Sequence, residues 1–153
     1  VVGFTTTEYA YALDGLYVGD MPQTAYILGV TVKPVKGLQL QAIHKTYDKN
    51  YSDWSPGARE YDGTDADADR SQVWEAPGYS RLDLHMSYKL PKINDLDMTL
   101  TGHIFNVLDE VYVQDAVDNS RYNSWGSKEH LAHNAEVFLG TPRYANIGLT
   151  INF

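Results

Sequence analysis

The sequence of 153 residues contains no cysteine, which excludes disulfides and thiolate metal sites without indicating a compartment. It also lacks any run of about twenty apolar residues, so it has no candidate transmembrane helix. Basic residues are scarce, since 12 Lys and Arg stand against 20 Asp and Glu, for a net charge of −8. Nucleic-acid binding depends on Lys and Arg that neutralise phosphates, so this balance argues against a nucleic-acid partner.

Aromatic residues, in contrast, are abundant. The chain holds twelve tyrosines and three tryptophans. These side chains accumulate at membrane interfaces because their rings are apolar and their tips polar, but they are also common in β-sheets and on sugar-binding surfaces. Composition alone therefore leaves a membrane protein and a soluble β-protein open.

The last eight residues, 146–153, alternate between polar and apolar types, as a strand with two different faces requires. One face suits lipid and the other a wet lumen, although an amphipathic strand of a soluble sandwich alternates in the same way. The apolar face carries Ile147, Leu149, Ile151 and Phe153, and the other face carries Asn146, Gly148, Thr150 and Asn152.

Four further runs predict strands at 26–33, 38–47, 79–90 and 96–104, and residues 9–13 predict a sixth, shorter one. The run 79–90 is the cleanest, with Leu82, Leu84, Met86, Tyr88 and Leu90 opposite Arg81, Asp83, His85, Ser87 and Lys89. Short turns at 34–37 and 91–95 alternate with long connections at 48–78 and 114–141. This alternation is typical of an up-and-down outer-membrane barrel, with short periplasmic turns and long extracellular loops. Five or six strands leave two open edges, which lipid cannot hydrogen-bond, so they predict only the last strands of a larger barrel.

Three segments of the second half resemble known proteins. The terminal pattern formed by Asn146, Gly148, Ile151 and Phe153 resembles the signal by which the bacterial outer-membrane assembly machinery recognises barrel proteins. The segments Phe105-Asn-Val-Leu-Asp-Glu-Val-Tyr112 and Gly140-Thr-Pro-Arg143 resemble the last strands of TonB-dependent receptors. No plug domain or TonB box is found, so residues 1–153 are expected to be the C-terminal part of a receptor barrel.

This resemblance implies a protein of the bacterial outer membrane that binds and imports a scarce nutrient with energy delivered through TonB. The nutrient would be a metal chelate, a cobalamin or an oligosaccharide. The implied partners are the remainder of the barrel and its plug, the TonB complex, the assembly machinery, the lipid bilayer and, in some receptors, a surface lipoprotein. The alternative is a soluble all-β binding module, for example for carbohydrate, in which the apolar faces form one buried core.

Two groups of residues are candidates for ligand binding. Trp54, Trp74 and Trp125 lie in the long connections, where they could stack on a ligand or equally pack the loops together. Arg81, Asp83 and His85 lie on the predicted lumen face. Asn106 and Asp109 of the receptor-like segment are expected to be structural.

Two weaker patterns concern metals. Asp65, Asp67 and Asp69 alternate in a loop and could converge on Ca²⁺, but the glycine and glutamate of an EF-hand loop are missing, so a solvated acidic loop is the stronger interpretation. His130 and His133 could bind Zn²⁺ or another transition metal, but no third ligand is evident.

Catalytic patterns are missing as well. The sequence has no glycine-flanked serine, no glycine-rich phosphate loop and no cysteine nucleophile. We therefore expect neither an enzyme nor an organic cofactor.

Overall fold

A computed structural model describes residues 10–61, 68–92, 96–120 and 129–152. The prediction of an all-β, antiparallel fold is confirmed. The described residues include two 3₁₀ turns, Pro56–Arg59 and Ala132–Asn134. None of the described helices has the length and apolar character needed to cross a bilayer. The strands are β1 (Ala10–Tyr11), β2 (Pro22–Val32), β3 (Leu38–Tyr51), β4 (Glu60–Tyr61), β5 (Glu75–Ala76), β6 (Tyr79–Lys89), β7 (Asp97–Phe105), β8 (Val113–Asp118), β9 (Ala135–Leu139) and β10 (Tyr144–Asn152).

The chain divides into two compact units. The sheet unit consists of the described residues within 23–48, 77–112 and 139–153, and the connection unit of those within 1–22, 49–76 and 113–138. In the sheet unit the five long strands are ordered β2, β3, β6, β7 and β10, so each lies beside the next long strand along the chain. The five predicted long strands are therefore present, with ends displaced by a few residues.

The register of the sheet separates two chemically different faces. Leu40, Met86, Gly102 and Ile147 lie side by side in one row across β3, β6, β7 and β10. The neighbouring row, on the opposite face, consists of Gln41, His85, His103 and Asn146. Since side chains alternate along a strand, a slip of one residue would exchange the faces, and the pattern therefore specifies the register.

The apolar face of the sheet is largely uncovered. Ile147 on β10 is 77% exposed, although it is a large aliphatic side chain. Other exposed apolar side chains on this face are Tyr26, Leu28, Val30, Val32, Leu40, Leu84, Ile104, Leu149 and Ile151. The buried apolar side chains of the described residues lie elsewhere, at Ala12, Tyr51, Val73, Ala76, Tyr112 and Ala116.

Three expectations about the connections need correction. The segments 48–78 and 114–141 contain regular structure, since β1 pairs with β4, β5 with the end of β3, and β8 with β9. The predicted strand at 9–13 is limited, among the described residues, to β1, which pairs with β4 and lies outside the main sheet. The physical reason is that buried backbone N–H and C=O groups need partners, so a long connection that folds compactly forms short ladders of its own.

The strand predicted at 38–47 is β3, which continues to Tyr51 and is paired through its irregular part as well. The alternation of residue types becomes irregular at Ile43 and His44, yet the pairing continues, with Ile43 opposite Asp83 and His44 opposite Leu82. The polar face therefore carries one apolar residue here, and the apolar face one histidine.

Candidate polar-face site

The polar row of the sheet contains a pair of histidines in direct contact. His85 on β6 and His103 on β7 are opposite each other in the register, and their Nδ1 atoms are 2.8 Å apart. At this distance one nitrogen donates and the other accepts, so at least one of the two rings is neutral. Gln41, next to His85 in the row, donates its amide Nε2 to Thr31 Oγ1 at 3.1 Å, which leaves its amide oxygen as an acceptor.

Aromatic rings support this pair from one side. The Phe105 ring meets His85 edge-on with centroids 5.4 Å apart, and its centroid is 6.0 Å from that of His103. Tyr144 of β10 stacks on Phe105 at 4.7 Å. These contacts restrict the orientation of both imidazoles. The two histidines and Phe105 belong to a shallow depression, which is lined by Gln39, Gln41, His85, Met86, Ser87, Thr101, His103 and Phe105.

The other two polar candidates of β6 are engaged within the protein. Asp83 is only 2% exposed, and it accepts hydrogen bonds from Lys45 Nζ at 3.0 Å and from the backbone N–H of Asn106 at 2.9 Å. Arg81 Nη1 donates to the Tyr112 hydroxyl at 2.7 Å, and the guanidinium lies 5.3 Å from the centre of that ring. These contacts assign Arg81 and Asp83 a structural role, and among the β6 candidates they leave His85 as the group best placed to meet a ligand.

Hydrogen bonds connect segments 105–112 and 140–143, which carry the resemblance to TonB-dependent receptors. Asn106, 1% exposed with φ of 50°, holds the backbone of Glu110 at both N–H and C=O, at 3.0 and 2.9 Å, and its Nδ2 also donates to Thr141 O at 3.2 Å. Asp109 Oδ1 accepts from the Arg143 N–H at 2.9 Å. Segment 105–112 is thus connected to segment 140–143, as the expected structural role of Asn106 and Asp109 requires.

The closing strand distributes the assembly-signal residues over both faces. Asn146 and Gly148 share the polar face with His103 and Thr101, and Ile151 lies on the apolar face; Phe153 is outside the described residues. Thr101 Oγ1 donates to Gly148 O at 3.3 Å, and a Cβ added at Gly148 would lie 2.9 Å from that hydroxyl. A glycine at this position therefore also has a local packing reason.

Of the tryptophan candidates, Trp54 makes internal contacts with its side chain and Trp74 with its backbone. Trp54 Nε1 donates to Tyr17 O at 2.9 Å, and the Arg59 guanidinium lies 5.7 Å from the Trp54 ring. The carbonyl of Trp74 accepts from both the N–H and the hydroxyl of Ser52. Trp125 lies outside the described residues. For Trp54, the contacts favour loop packing over ligand stacking.

Of the three residues proposed to bind calcium, the structure describes only Asp69. Asp65 and Asp67 lie outside the described residues, whereas Asp69 contacts two side chains, Arg59 through Nη1 at 3.0 Å and His130 through Nε2 at 2.8 Å. Burial by itself would raise the pKa of Asp69, but the hydrogen bonds from His130 and the Ser71 N–H, together with the charge of Arg59, outweigh it and hold that pKa below its ordinary value. A carboxylate whose charge is already balanced by the Arg59 guanidinium is a poor ligand for Ca²⁺.

The histidine candidate for zinc is engaged too. The second nitrogen of His130, Nδ1, lies 2.7 Å from Asp118 Oδ2, so both ring nitrogens face carboxylates. Within the ranges that the structure describes, no group of three or more ligating side chains could hold a metal ion. The calcium and zinc hypotheses therefore gain no support from the contacts of Asp69 and His130.

Sequence reasoning identified His85 but missed His103, Gln41 and Phe105 as its neighbours. A signal was present, because β6 and β7 pair symmetrically about position 94, inside the turn predicted at 91–95. A hairpin centred there places residue 85 opposite residue 103. The adjacency of Gln41 had no comparable signal, since β3 and β6 are separated by a long connection.

No protein-family model, curated protein or solved structure matches the chain.

Proposed function

We propose that this chain is part of a bacterial outer-membrane receptor barrel that binds and imports a scarce nutrient with energy delivered through TonB. The observation that carries the proposal is the exposed apolar face of the sheet. Between Leu38 and Thr46 of β3, and along β6, β7 and β10, the residues on that face include no Asp, Glu, Lys or Arg. In water such a surface would be costly, at about 25 cal/mol per Å² of apolar area.

Strand length supports the same proposal. β2 and β6 have 11 residues each, and β7 and β10 have 9 each. A tilted strand needs about 9–11 residues to cross a bilayer, whereas strands of soluble proteins are commonly about 5–6 residues long. These four strands therefore have the length that a bilayer requires, and β3, with 14 residues, is longer.

The edges of the sheet support a larger assembly. Within the described residues, β2 and β10 each have a single neighbour in the sheet. An unpaired edge in lipid leaves N–H and C=O groups without partners at several kcal/mol each, so membrane strands occur in closed barrels. We infer that further strands of the same receptor pair with β2 and β10, as the resemblance of the C-terminal segments implies.

The polar face then faces the lumen, and the row with His85 and His103 is the ligand-side surface of this piece. The resemblance extends to the assembly machinery, which would recognise Asn146, Gly148, Ile151 and Phe153. Metal chelates, cobalamins and oligosaccharides are the substrate classes that such receptors import. The carbohydrate-binding soluble module predicts a buried apolar core, and the exposure of Ile147 argues against it.

Cysteine labelling tests the membrane part of the proposal without background, because the natural chain has no cysteine. Neighbouring positions of β10 provide matched variants, Ile147→Cys and Leu149→Cys on the apolar face, Asn146→Cys and Thr150→Cys on the polar face. In vesicles we expect spin-labelled lipids to quench a fluorophore at the first two positions and to leave the other two unquenched. Equal quenching at all four, or a monomer that stays soluble without detergent, would contradict the proposal.

The receptor part is tested in the source cell envelope. Extraction in mild detergent without heating should yield a heat-modifiable species larger than 17.2 kDa that also contains plug and further barrel strands. A membrane-inserted chain that co-migrates with no plug would support the barrel and refute the TonB-dependent receptor.

A further inference from the structure

We propose that His85 and His103 together bind a divalent copper or nickel ion on the polar face of the sheet. The proposal goes beyond the transport function, because it depends only on the geometry of β6 and β7 and not on what surrounds the apolar face. It also differs from the calcium and zinc hypotheses, which concern residues of the connection unit.

The separation of the two nitrogens, which is that of their hydrogen bond, also fits one geometry of metal site. Two nitrogens that each lie about 2.0 Å from an ion are about 2.8 Å apart when the angle at the metal is 90°, and about 3.3 Å apart in a tetrahedral site. The observed Nδ1–Nδ1 separation is 2.8 Å. It matches adjacent positions of a square-planar or tetragonal site, the geometry that Cu²⁺ and Ni²⁺ prefer and that structural Zn²⁺ sites do not adopt.

Binding requires a change of tautomer and a tilt of the two rings, because an ion about 2.0 Å from each nitrogen lies about 1.4 Å off the line that joins them. In the hydrogen-bonded pair, the proton lies on one Nδ1 and the other Nδ1 accepts it. When the ion binds both nitrogens, the proton moves through solvent to Nε2 of the same ring, and both Nδ1 lone pairs become available. In a pair of neutral rings this exchange changes the tautomer but not the charge.

The surroundings provide access and further donors. Both histidines are half-buried on the open face of the sheet, and the Phe105 ring restricts their rotation. Gln41 and Asn146 flank the pair in the same row, and their amide oxygens, with water, are suitable for the remaining positions of a tetragonal site. The row contains no carboxylate, so it favours metals that prefer imidazole over Ca²⁺ or Mg²⁺.

The test uses Cu²⁺ with the full chain in detergent micelles. We expect one high-affinity copper per chain, with an electron paramagnetic resonance spectrum of tetragonal type that shows coupling to two imidazole nitrogens. His85→Asn and His103→Asn should each weaken copper binding at least tenfold, since loss of an outer partner of a metal ligand alone costs about 10–100-fold. His44→Asn is the matched control, because His44 lies on the opposite face of the same sheet, across from Leu82.

Two results would overturn the proposal. Equal copper affinity in the wild type and in the double variant H85N/H103N would show that the ion binds elsewhere. A wild-type spectrum without coupling to imidazole nitrogens would show that the pair is only a cross-strand hydrogen bond. Because the spectrum is recorded on the wild type, this second result does not depend on whether the variants fold.

Discussion

Replacement of Asn106 by alanine should destabilise the junction between segments 105–112 and 140–143. The side chain makes three hydrogen bonds, to the N–H and C=O of Glu110 and to the C=O of Thr141. Each such bond contributes about 0.5–1.5 kcal/mol. Glu110 and Thr141 are exposed, so water can replace part of what is lost, and about 2 kcal/mol remains.

The backbone adds a second contribution. Asn106 has φ of 50°, a left-handed conformation that costs an alanine roughly 1 kcal/mol more than an asparagine, whose side chain bonds locally. The expected total is therefore about 3 kcal/mol, which corresponds to roughly a hundredfold change in an equilibrium constant. Asn106→Asp keeps the acceptor for the Glu110 N–H but places a carboxylate oxygen against two carbonyls, so it should also destabilise the junction.

Hydrogen exchange in the full chain measures this effect locally. The N–H of Glu110 is held by the Asn106 side chain, and in Asn106→Ala it should exchange up to about a hundredfold faster. Asn119→Ala is the control, because the hydrogen bond from its side chain to Glu136, at 3.0 Å, is exposed. An unchanged exchange rate at Glu110 in Asn106→Ala would refute the structural role assigned to this residue.

Three further outcomes follow from other contacts. Gly140→Ala should cost about 1–3 kcal/mol by overpacking, because the added Cβ would overlap the buried Tyr112 ring. Gly29→Ala is the control, since no atom lies within 4 Å of its added Cβ, and it should change the urea midpoint little. Equal urea midpoints for the two variants would contradict this. Lys45→Met should cost about 2–3 kcal/mol in urea unfolding, since it removes the ammonium group that is hydrogen-bonded to the buried Asp83 carboxylate, and Asp83→Asn in the same chain should restore part of the loss. The pKa of Asp69 is lowered in the folded state, so the stabilisation from its carboxylate is complete above the ordinary value near 3.8 and disappears as the pH falls through the folded pKa. Between pH 5 and pH 3 the urea midpoint should therefore fall more in the wild type than in Asp69→Asn. An equal fall in both proteins would contradict this.

Much of the sheet was predictable from the sequence alone. The period of two in 79–90 and 146–153 and the short turns at 34–37 and 91–95 are local properties, so they predicted the long strands and the division of β6 into an apolar and a charged face. A hairpin centred on position 94, which is within the turn predicted at 91–95, places residue 103 of β7 opposite His85, because hairpin register depends on turn position.

Tertiary structure alone decided which polar groups are available. Arg81, Asp83 and His85 look equivalent in sequence, yet Arg81 and Asp83 are engaged by Tyr112 and by Lys45 with Asn106, while His85 meets His103 in an accessible row. Trp54 and Asp69 are likewise satisfied by Tyr17, Arg59 and His130. Alternation along the chain is a local signal and determined the faces of the strands. The partners of a polar group come from distant segments, such as Lys45 for Asp83, and only the folded chain brings them within hydrogen-bonding distance.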